Sequence, residues 1–379
     1  TGLDFDGADV EVTSLSAFGR KFNQTNIVAR RAGEEWRVTL GGNDVAGTAV
    51  WRVPTSTTPS GRIVARFARL TLPPAAEVPS GQSMRKAARP AGAANAWPAI
   101  DLASDAFYSK DRDLGKLELA ARPSGNDWQI ESLTLKNDSG TISADGWWRA
   151  GEPQQTKLDV ALDVTEAGTF LTHFGTKDAI RGAATKIKGQ LSWNGSPADF
   201  DYRVLNGTFQ VSAGSGQFMK ADPGVGRLLG VLSLQALPRR ISLDFRDVFS
   251  EGFAFDAIDG TARIQEGLMS TENLRMIGPA ATVNISGTVD LSRETQKLRV
   301  RVQPALSTSI SAGAAALFIA NPLVGAAIGA GTLLAQKVLK DPIEQLFSYD
   351  YAVTGSWSDP VVERVSSRTT AAAPAIIDK

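Results

Sequence analysis

The sequence contains no cysteine, and His173 is its only histidine. The absence of thiols excludes disulfides, thiolate metal sites and cysteine nucleophiles. One imidazole leaves no histidine pair for a metal and a single candidate for a Ser-His-Asp arrangement. No serine lies in a Gly-x-Ser-x-Gly motif. We therefore interpret His173 as a partly buried structural residue, and we predict a protein that is not an enzyme and uses no cofactor or metal.

An excess of charge of either sign is also absent, because 40 basic and 40 acidic side chains give a formal net charge of +0. No segment concentrates Lys or Arg in the way that binding to a phosphate backbone requires, so we predict no nucleic-acid partner. The chain begins at Thr1 without a methionine or an apolar leader. We expect a fragment or a processed chain.

Most of the sequence has a period of two. In residues 297–302 three aliphatic side chains alternate with three cations, and residues 158–164 and 241–246 alternate in the same way. Such alternation is typical of antiparallel strands with one buried and one wet face. We predict a mainly β fold in which repeated antiparallel meanders form a curved, groove-like sheet, with a few short helices and an apolar C-terminal helical hairpin.

A weak internal repeat supports the meanders. Gly146 and Gly287 each follow a leucine, Leu133 and Leu274, by the same interval, and Gly47 marks a candidate third copy. Repetition of a strand-meander unit extends one sheet and does not close separate globules.

Two segments rich in Pro, Ala, Gly and Ser predict no regular structure. We predict five parts: a β-groove segment 1–72, a disordered linker or insertion 73–98, a β-groove segment 99–222, a C-terminal region 223–365 that begins with a predicted helix, and a disordered tail 366–379. Helices are predicted near 165–174, 223–237 and 311–340 from helix-like spacing of apolar residues.

Residues 311–335 carry no charge and are long enough to span a bilayer. Asn321-Pro322 near the middle and four glycines within 313–331 favour two short helices that meet at a bend. A buried core hairpin, a membrane-contacting hairpin and a spanning helix all remain open, and we favour the membrane-contacting hairpin. Its predicted contact residues are Leu317, Phe318, Ile319, Leu323, Val324, Ile328, Leu333 and Leu334.

Four C-terminal stretches carry a family resemblance. They are residues 226–253, from Gly-Arg-Leu-Leu-Gly to Ser-Glu-Gly-Phe, then Met-Ile-Gly-Pro-Ala-Ala at 276–281, Asp-Leu-Ser-Arg-Glu-Thr-Gln at 290–296 and Val-Thr-Gly-Ser-Trp-Ser-Asp-Pro at 353–360. They resemble the C-terminal signature of the YhdP-type AsmA-like proteins.

The resemblance implies a bridge-like lipid transporter. Such a protein is anchored in the inner membrane of a Gram-negative bacterium, and its long β-groove crosses the periplasm and passes phospholipid towards the outer membrane. The implied partners are phospholipid and, at the membrane, either the inner leaflet of the outer membrane or an envelope partner protein. The oligomeric state is left open.

From the strand pattern alone an ordinary packed core is favoured over a lipid groove, and the resemblance reverses that preference. The predicted lipid-binding residues are Leu158, Val160, Leu162, Ile187, Leu191, Ile241, Leu243, Phe245, Val283, Ile285, Leu298, Val300 and Val302. Two alternatives remain. A scaffold for outer-membrane protein assembly needs an exposed strand edge, and a carbohydrate-binding β-sandwich needs Trp147 or Trp148 exposed on a flat face.

Overall fold

The computed structural model describes residues 6–17, 20–55, 60–73, 97–109, 111–125, 127–197, 200–219, 253–304 and 348–365. These ranges contain one short α-helix and a long series of strands. The strands of the first half are β1 Gly7–Ala17, β2 Arg20–Ala32, β3 Glu35–Gly42, β4 Val45–Arg52, β5 Arg62–Leu72, β6 Ala99–Ser109, β7 Arg112–Ser124, β8 Asp127–Lys136, β9 Gly140–Arg149 and β10 Gln155–Val164.

Helix α1, Ala167–His173, follows β10. The remaining strands are β11 Ile180–Gly182, β12 Thr185–Asn194, β13 Asn206–Ala213, β14 Gly216–Phe218, β15 Phe253–Phe255, β16 Ala257–Gln265, β17 Leu268–Ile277, β18 Ala281–Asp290, β19 Thr295–Pro304, β20 Tyr349–Gly355 and β21 Pro360–Val365. A 3₁₀ turn, Tyr202–Val204, precedes β13.

Eighteen of these strands form one curved, unclosed sheet. The strands pair in chain order from β1 to β10, continue through β12 and β13, and then run from β16 to β21. The three short strands β11, β14 and β15 form a separate small sheet. The prediction of a mainly β protein built on a curved sheet is confirmed.

One joint in the large sheet is parallel. Strand β5 pairs with β6 in parallel register, with Ile63 opposite Ile100, whereas every other pairing between its described strands is antiparallel. Parallel neighbours require a crossover of a dozen or more residues, because the chain must return to the end from which it started. The predicted linker 73–98 supplies this connection, and residues 74–96 lie outside the described part of the chain.

Of the three predicted helices, the first is confirmed as α1. The helices predicted over 223–237 and 311–340 lie outside the described residues, and so do all eight predicted membrane-contact residues. Within the ranges that the structure describes, no helix combines the length and hydropathy needed to cross a bilayer.

The predicted repeat corresponds to two meanders, β8–β9–β10 and β17–β18–β19. Each has a bulge at the same place, between Ile130 and Leu133 in the first and between Thr271 and Leu274 in the second. A bulge adds a residue to one strand and increases its local twist and bend. The two copies therefore curve the sheet in the same manner.

The repeated glycine is needed for its backbone conformation. Gly146 and Gly287 have φ values of +154° and +127°. A Cβ atom would lie 2.1 Å from the carbonyl oxygen of Lys157 at Gly146, and 2.3 Å from that of Lys297 at Gly287. Gly47 also has φ +154°, which extends this feature to the candidate third copy.

We expect Gly146→Ala to lower the free energy of unfolding by about 1–3 kcal/mol, because alanine there combines a strained backbone with a contact that only backbone movement can relieve. Gly41→Ala is the matched control, since Gly41 also lies in a strand, has no positive φ and would give a Cβ atom no neighbour within 4 Å. Urea unfolding followed by circular dichroism compares the two midpoints. Equal midpoints would contradict the strain argument.

Candidate functional site

The cross-strand register separates the large sheet into two faces of opposite character. Leu162 lies opposite Ile142 on β9 and Ile187 on β12, so these three side chains share one face. Their sequence neighbours Asp163 and Lys186 are also register partners and lie on the other face, where they form an ion pair of 3.2 Å. We call the first surface the apolar face and the second the polar face.

The apolar face extends across the sheet without interruption. One row of directly opposed residues crosses thirteen neighbouring strands, from β1 to β16, and includes no polar side chain. The row consists of Ala8, Ala29, Val38, Ala49, Ala65, Leu102, Leu119, Leu133, Ala144, Val160, Gly189, Phe209 and Ala262.

A second row lies beside the first and contains one polar residue, Ser104. It consists of Val10, Ile27, Leu40, Gly47, Phe67, Ser104, Leu117, Leu135, Ile142, Leu162, Ile187, Val211 and Gly260. Ser104 is buried, and its hydroxyl donates to the carbonyl of Ala106. Its polarity is therefore satisfied within its own strand.

Accessibility of the apolar face changes along the sheet. Leu162, Ile187 and Phe209, which lie on this face in β10, β12 and β13, are half-buried. In β18 and β19 the same face is closed, with Val283 at 0% and Val300 at 1% exposure. The apolar face thus continues from an accessible surface into a packed hydrophobic core.

Ten of the thirteen predicted lipid-binding residues are described, and all ten lie on the apolar face. Ile241, Leu243 and Phe245 lie outside the described residues. The predicted residues on β18 and β19, and Leu158 on β10, are core residues of the cluster, whereas Val160, Leu162, Ile187 and Leu191 remain partly accessible. Contact of these side chains with lipid stays a prediction.

The predicted set left out accessible apolar residues that share the face. Ile142, Phe209, Val211, Ile258 and Leu274 are half-buried there. Their strands also alternate with period two, so the sequence carried the signal. The missing information was the register. It shows that Ile142 and Val211 continue the row of Leu162, that Phe209 continues the row of Val160, and that Ile258 and Leu274 lie on the same face.

Several tryptophans lie near the ends of strands, and Trp147 and Trp148 do not form a flat, exposed surface for a sugar ring. Trp148 is 3% exposed and contacts Trp97 edge-to-face, with ring centroids 4.9 Å apart. The guanidinium of Arg149 covers Trp147 at 5.0 Å from the ring centroid. The described strands also form one large sheet with a small side sheet, not two facing sheets. The interpretation as a carbohydrate-binding sandwich is therefore wrong.

His173 holds α1 against neighbouring strands. Its Nδ1 lies 2.9 Å from the backbone oxygen of Asp113, and its Nε2 lies 3.2 Å from Oδ1 of Asp138. Hydrogen bonds from Ser139 and His173 lower the pKa of the Asp138 carboxyl. No group of three or more potential ligands is positioned to hold a metal within the described ranges. These contacts support a structural role for His173.

Glu166 fixes the start of α1. Its carboxylate accepts hydrogen bonds from the backbone N–H groups of Gly168, Thr169 and Gly182, so it caps the helix and ties it to β11. Partial burial raises the pKa of Glu166, but the hydrogen bonds from Thr169, Gly182 and Gly168 outweigh it and bring the pKa below its ordinary value.

A single curved sheet with one face that is apolar from strand to strand defines the class of β-groove proteins. A family model described as YhdP protein matches residues 4–362. The chain belongs to the YhdP family.

A curated relative, the intermembrane phospholipid transporter YhdP of Escherichia coli (strain K12), is 30% identical over 272 residues. The match covers 71% of this chain and 21% of the relative, so this chain corresponds to about a fifth of the relative's length. No solved structure gives a significant match.

We expect protonation of Glu166 to loosen α1. Because its folded pKa is depressed, the stabilisation is present above the ordinary carboxyl pKa of about 4.3 and is lost as pH falls through the lower folded value. Loss of a capping interaction costs about 1 kcal/mol, so Glu166→Gln lowers the hydrogen-exchange protection factors of Gly168, Thr169 and Gly182 roughly fivefold at pH 7.

The control for this change is Glu118→Gln, at an exposed position of β7. In the native chain the three protection factors decline between pH 5 and pH 3, and in the Glu166→Gln variant they change less. A native chain whose protection factors stay constant over this range would disprove the role of the ionised cap.

Proposed function

We propose that this chain is a non-catalytic segment of a phospholipid conduit, in which acyl chains lie on the apolar face between β9 and β17. The observation that carries the proposal is the row of thirteen opposed residues without a polar side chain. A lipid that moves along this row crosses the strands one after another and meets no polar barrier.

The energetics of acyl chains favour such a path. Each methylene group removed from water is worth about 0.8 kcal/mol, so a lipid with two chains needs a long apolar surface and cannot cross a wet gap. In an ordinary core, a second layer of strands or helices would pack against this apolar face and bury it. Leu162, Ile187 and Phe209 retain partial exposure, which leaves apolar area for a guest molecule.

The polar face is consistent with the same function because it can remain in contact with water on the side of the sheet away from the lipid. Asp159, Lys188 and Gln210 lie there and are exposed, directly next to apolar-face residues in sequence. A single sheet with one wet face needs no partner layer on that side. One layer can therefore both shield a lipid and stay hydrated.

The relative's name extends the proposal to the whole protein. The Escherichia coli protein is an intermembrane phospholipid transporter, and we propose that the longer protein to which this chain corresponds carries phospholipid across the periplasm between the two membranes. We further propose an inner-membrane anchor in that protein and membrane contact by the apolar segment 311–335. A scaffold for outer-membrane protein assembly is the competing function, since β1 and β21 each pair on one side only among the described strands.

Photocrosslinking tests the occupant of the apolar face. A benzophenone amino acid at Ile187 or Phe209, in the whole protein in growing cells, is expected to form phospholipid adducts that mass spectrometry detects. Lys188 and Gln210 are matched controls, because they are the next residues on the same strands and lie on the polar face. Protein adducts in place of lipid at Ile187 and Phe209 would favour the scaffold, and equal lipid labelling of both faces would refute the proposal.

A charge on the path is expected to block it. Leu162→Asp places a carboxylate beside Ile142 and Ile187, where its desolvation against an acyl chain costs about 1–3 kcal/mol. Binding of a phospholipid with a fluorescent acyl chain to the purified chain then weakens roughly tenfold.

The matched control is Ala161→Asp, which puts the same carboxylate on the polar face opposite Lys188. This variant is expected to bind like the native chain. Circular dichroism confirms that both variants fold. Unchanged binding by a folded Leu162→Asp variant would contradict the path along the apolar face.

A further inference from the structure

Half of the exposed large hydrophobic side chains in the described part of the chain lie in one place. Four of the eight are found where the 3₁₀ turn before β13 meets the hairpin of β16 and β17, and each is between 46% and 53% exposed. We call these four residues the edge patch. They are Phe200, Tyr202, Val204 and Leu268. A contiguous apolar patch on a protein surface indicates contact with another molecule, whereas single exposed apolar residues do not.

The edge patch lies at the edge of the large sheet where several strands carry a tryptophan close to one end. These tryptophans are Trp36, Trp51, Trp128, Trp148 and Trp193. We call this side the tryptophan edge. The ring of Phe200 meets that of Trp193 edge-to-face, with the two centroids 5.4 Å apart.

Backbone contacts fix the two parts of the edge patch against each other. The N–H of Gly267 donates to the carbonyl of Leu205 at 3.0 Å, and the N–H of Glu266 donates to Oδ1 of Asn206 at 3.0 Å. Gly267 has φ +77°, and a Cβ atom there would lie 2.1 Å from the carbonyl oxygen of Arg203. The patch is therefore held on a fixed backbone, which lowers the entropic cost of contact with a partner.

The charged residues within the turn neutralise each other. Asp201 and Arg203 alternate with the apolar residues, and Nε and Nη2 of Arg203 donate to Oδ1 and Oδ2 of Asp201 at 2.9 and 2.7 Å. The hydrogen bonds from Arg203 hold the pKa of the Asp201 carboxyl below its ordinary value. Because the two ions form a neutral pair, the turn can approach an apolar medium at a lower cost than it could with either ion alone.

Apolar contacts connect the edge patch with the apolar face. Trp193 and Leu205 are buried members of the hydrophobic core. Leu191 and Phe209, which are partly accessible on the apolar face, pack against the same core. Since Phe200 contacts Trp193, apolar groups lead from the patch to the face on which we propose that acyl chains lie.

The position of the remaining chain favours a partner from outside it. The two longest segments outside the described residues, 220–252 and 305–347, are attached at the other edge of the sheet, after β14 and β19. Residues 74–96 join the tryptophan edge before β6, and Val78 and Met84 are the large apolar side chains in that segment. Its sequence offers little apolar surface to cover the edge patch.

We propose that the edge patch enters the interfacial region of a lipid leaflet, and that phospholipid passes there between the leaflet and the apolar face. This inference rests on the proposed function and adds a place of exchange to it. Phenylalanine and tyrosine suit the interface, because their rings are apolar and the tyrosine hydroxyl can stay among the headgroups. A lipid leaflet also accounts for the connection with the apolar face, which contact with a protein would not require.

The charge around the edge patch predicts the kind of contact. Asp201 and Glu266 are acidic and Arg203 is the one cation among residues 200–206 and 265–268, so no basic cluster attracts anionic headgroups. We therefore expect insertion of apolar side chains to drive the contact. Binding to vesicles of zwitterionic phosphatidylcholine is the matching assay.

The absence of cysteine makes a labelling test direct, because an introduced cysteine is the only site for a thiol-reactive fluorophore. Gln265→Cys places the label at an exposed position opposite Leu268 and keeps the edge patch intact. Ser124→Cys, at the exposed end of β7 on the same edge, is the control. Phosphatidylcholine vesicles with a nitroxide on the acyl chain are expected to quench the label at position 265 roughly twofold more than that at position 124. Equal quenching overturns the proposal.

A pair of double variants tests the patch itself. Val204→Ser with Leu268→Ser is expected to weaken binding of the purified chain to these vesicles about fivefold and to slow lipid uptake from them to the same extent. Val361→Ser with Val365→Ser removes exposed aliphatic side chains from β21 and is expected to change neither. Both variants keep residues 305–347, so any contact made by that segment is the same. Equal loss in both variants, or no loss in the first, contradicts the assignment.

Circular dichroism checks that the double variants fold, and Tyr202→Ser, which changes no strand residue, repeats the measurement if Val204→Ser with Leu268→Ser does not. Phospholipid adducts are expected from a benzophenone amino acid at Gln265 in the whole protein in cells. Protein adducts without lipid adducts there would identify a protein as the occupant and overturn the proposal.

Binding of a short-chain phosphatidylcholine, below the concentration at which it forms micelles, separates this inference from the proposed function. Such a lipid needs the apolar face and no leaflet, so Val204→Ser with Leu268→Ser is expected to bind it like the native chain. Normal binding of the short-chain lipid by a native chain that does not contact vesicles overturns the leaflet contact and leaves the proposed function standing. A native chain that binds no short-chain lipid refutes the proposed function itself.

Discussion

The structure depends on one constraint, which is that paired strands keep their side-chain parity from one neighbour to the next. A shift of one residue at any pairing would turn every apolar side chain of that strand to the wet face. Where the ladder does change register, as between Ile130 and Leu133, a bulge absorbs the extra residue and the next apolar side chain returns to the same face. Continuity of the apolar face is therefore a property of the pairing, and no single strand contains it.

The same constraint explains what the sequence could reveal. Alternation of aliphatic and charged residues within 297–302 places the strand β19 and its two faces, and the short helix near 165–174 follows from its apolar spacing. These patterns are local, so they can be recognised without knowledge of the fold. Parity within each strand was therefore predictable, and the structure places the ten described residues that were predicted to bind lipid on one face, as that parity requires.

Other features depend on distant pairing and could not be predicted in this way. Val300 and Ile187 alternate with charged neighbours in the same manner, yet Val300 is 1% exposed and Ile187 is half-buried. Val300 belongs to the buried hydrophobic cluster and Ile187 does not, and a period of two does not encode that difference. The parallel pairing of β5 with β6 could not be predicted from the sequence either. The residues between these two strands carry no pattern that specifies at which edge of the sheet the chain returns.

That parallel joint has a consequence for the asymmetry of the whole sheet. In an unbroken up-and-down meander, β6 would start at the rim where β5 ends, and each later strand would run in the reverse direction. Trp128, Trp148 and Trp193 would then stand on the far side from Trp36 and Trp51. Because β6 instead runs parallel to β5, the antiparallel strands before this pairing and those after it carry their tryptophans at the same edge of the sheet. The parallel pairing of β5 with β6 thus makes the two edges formed by the strand ends differ in composition along the whole sheet.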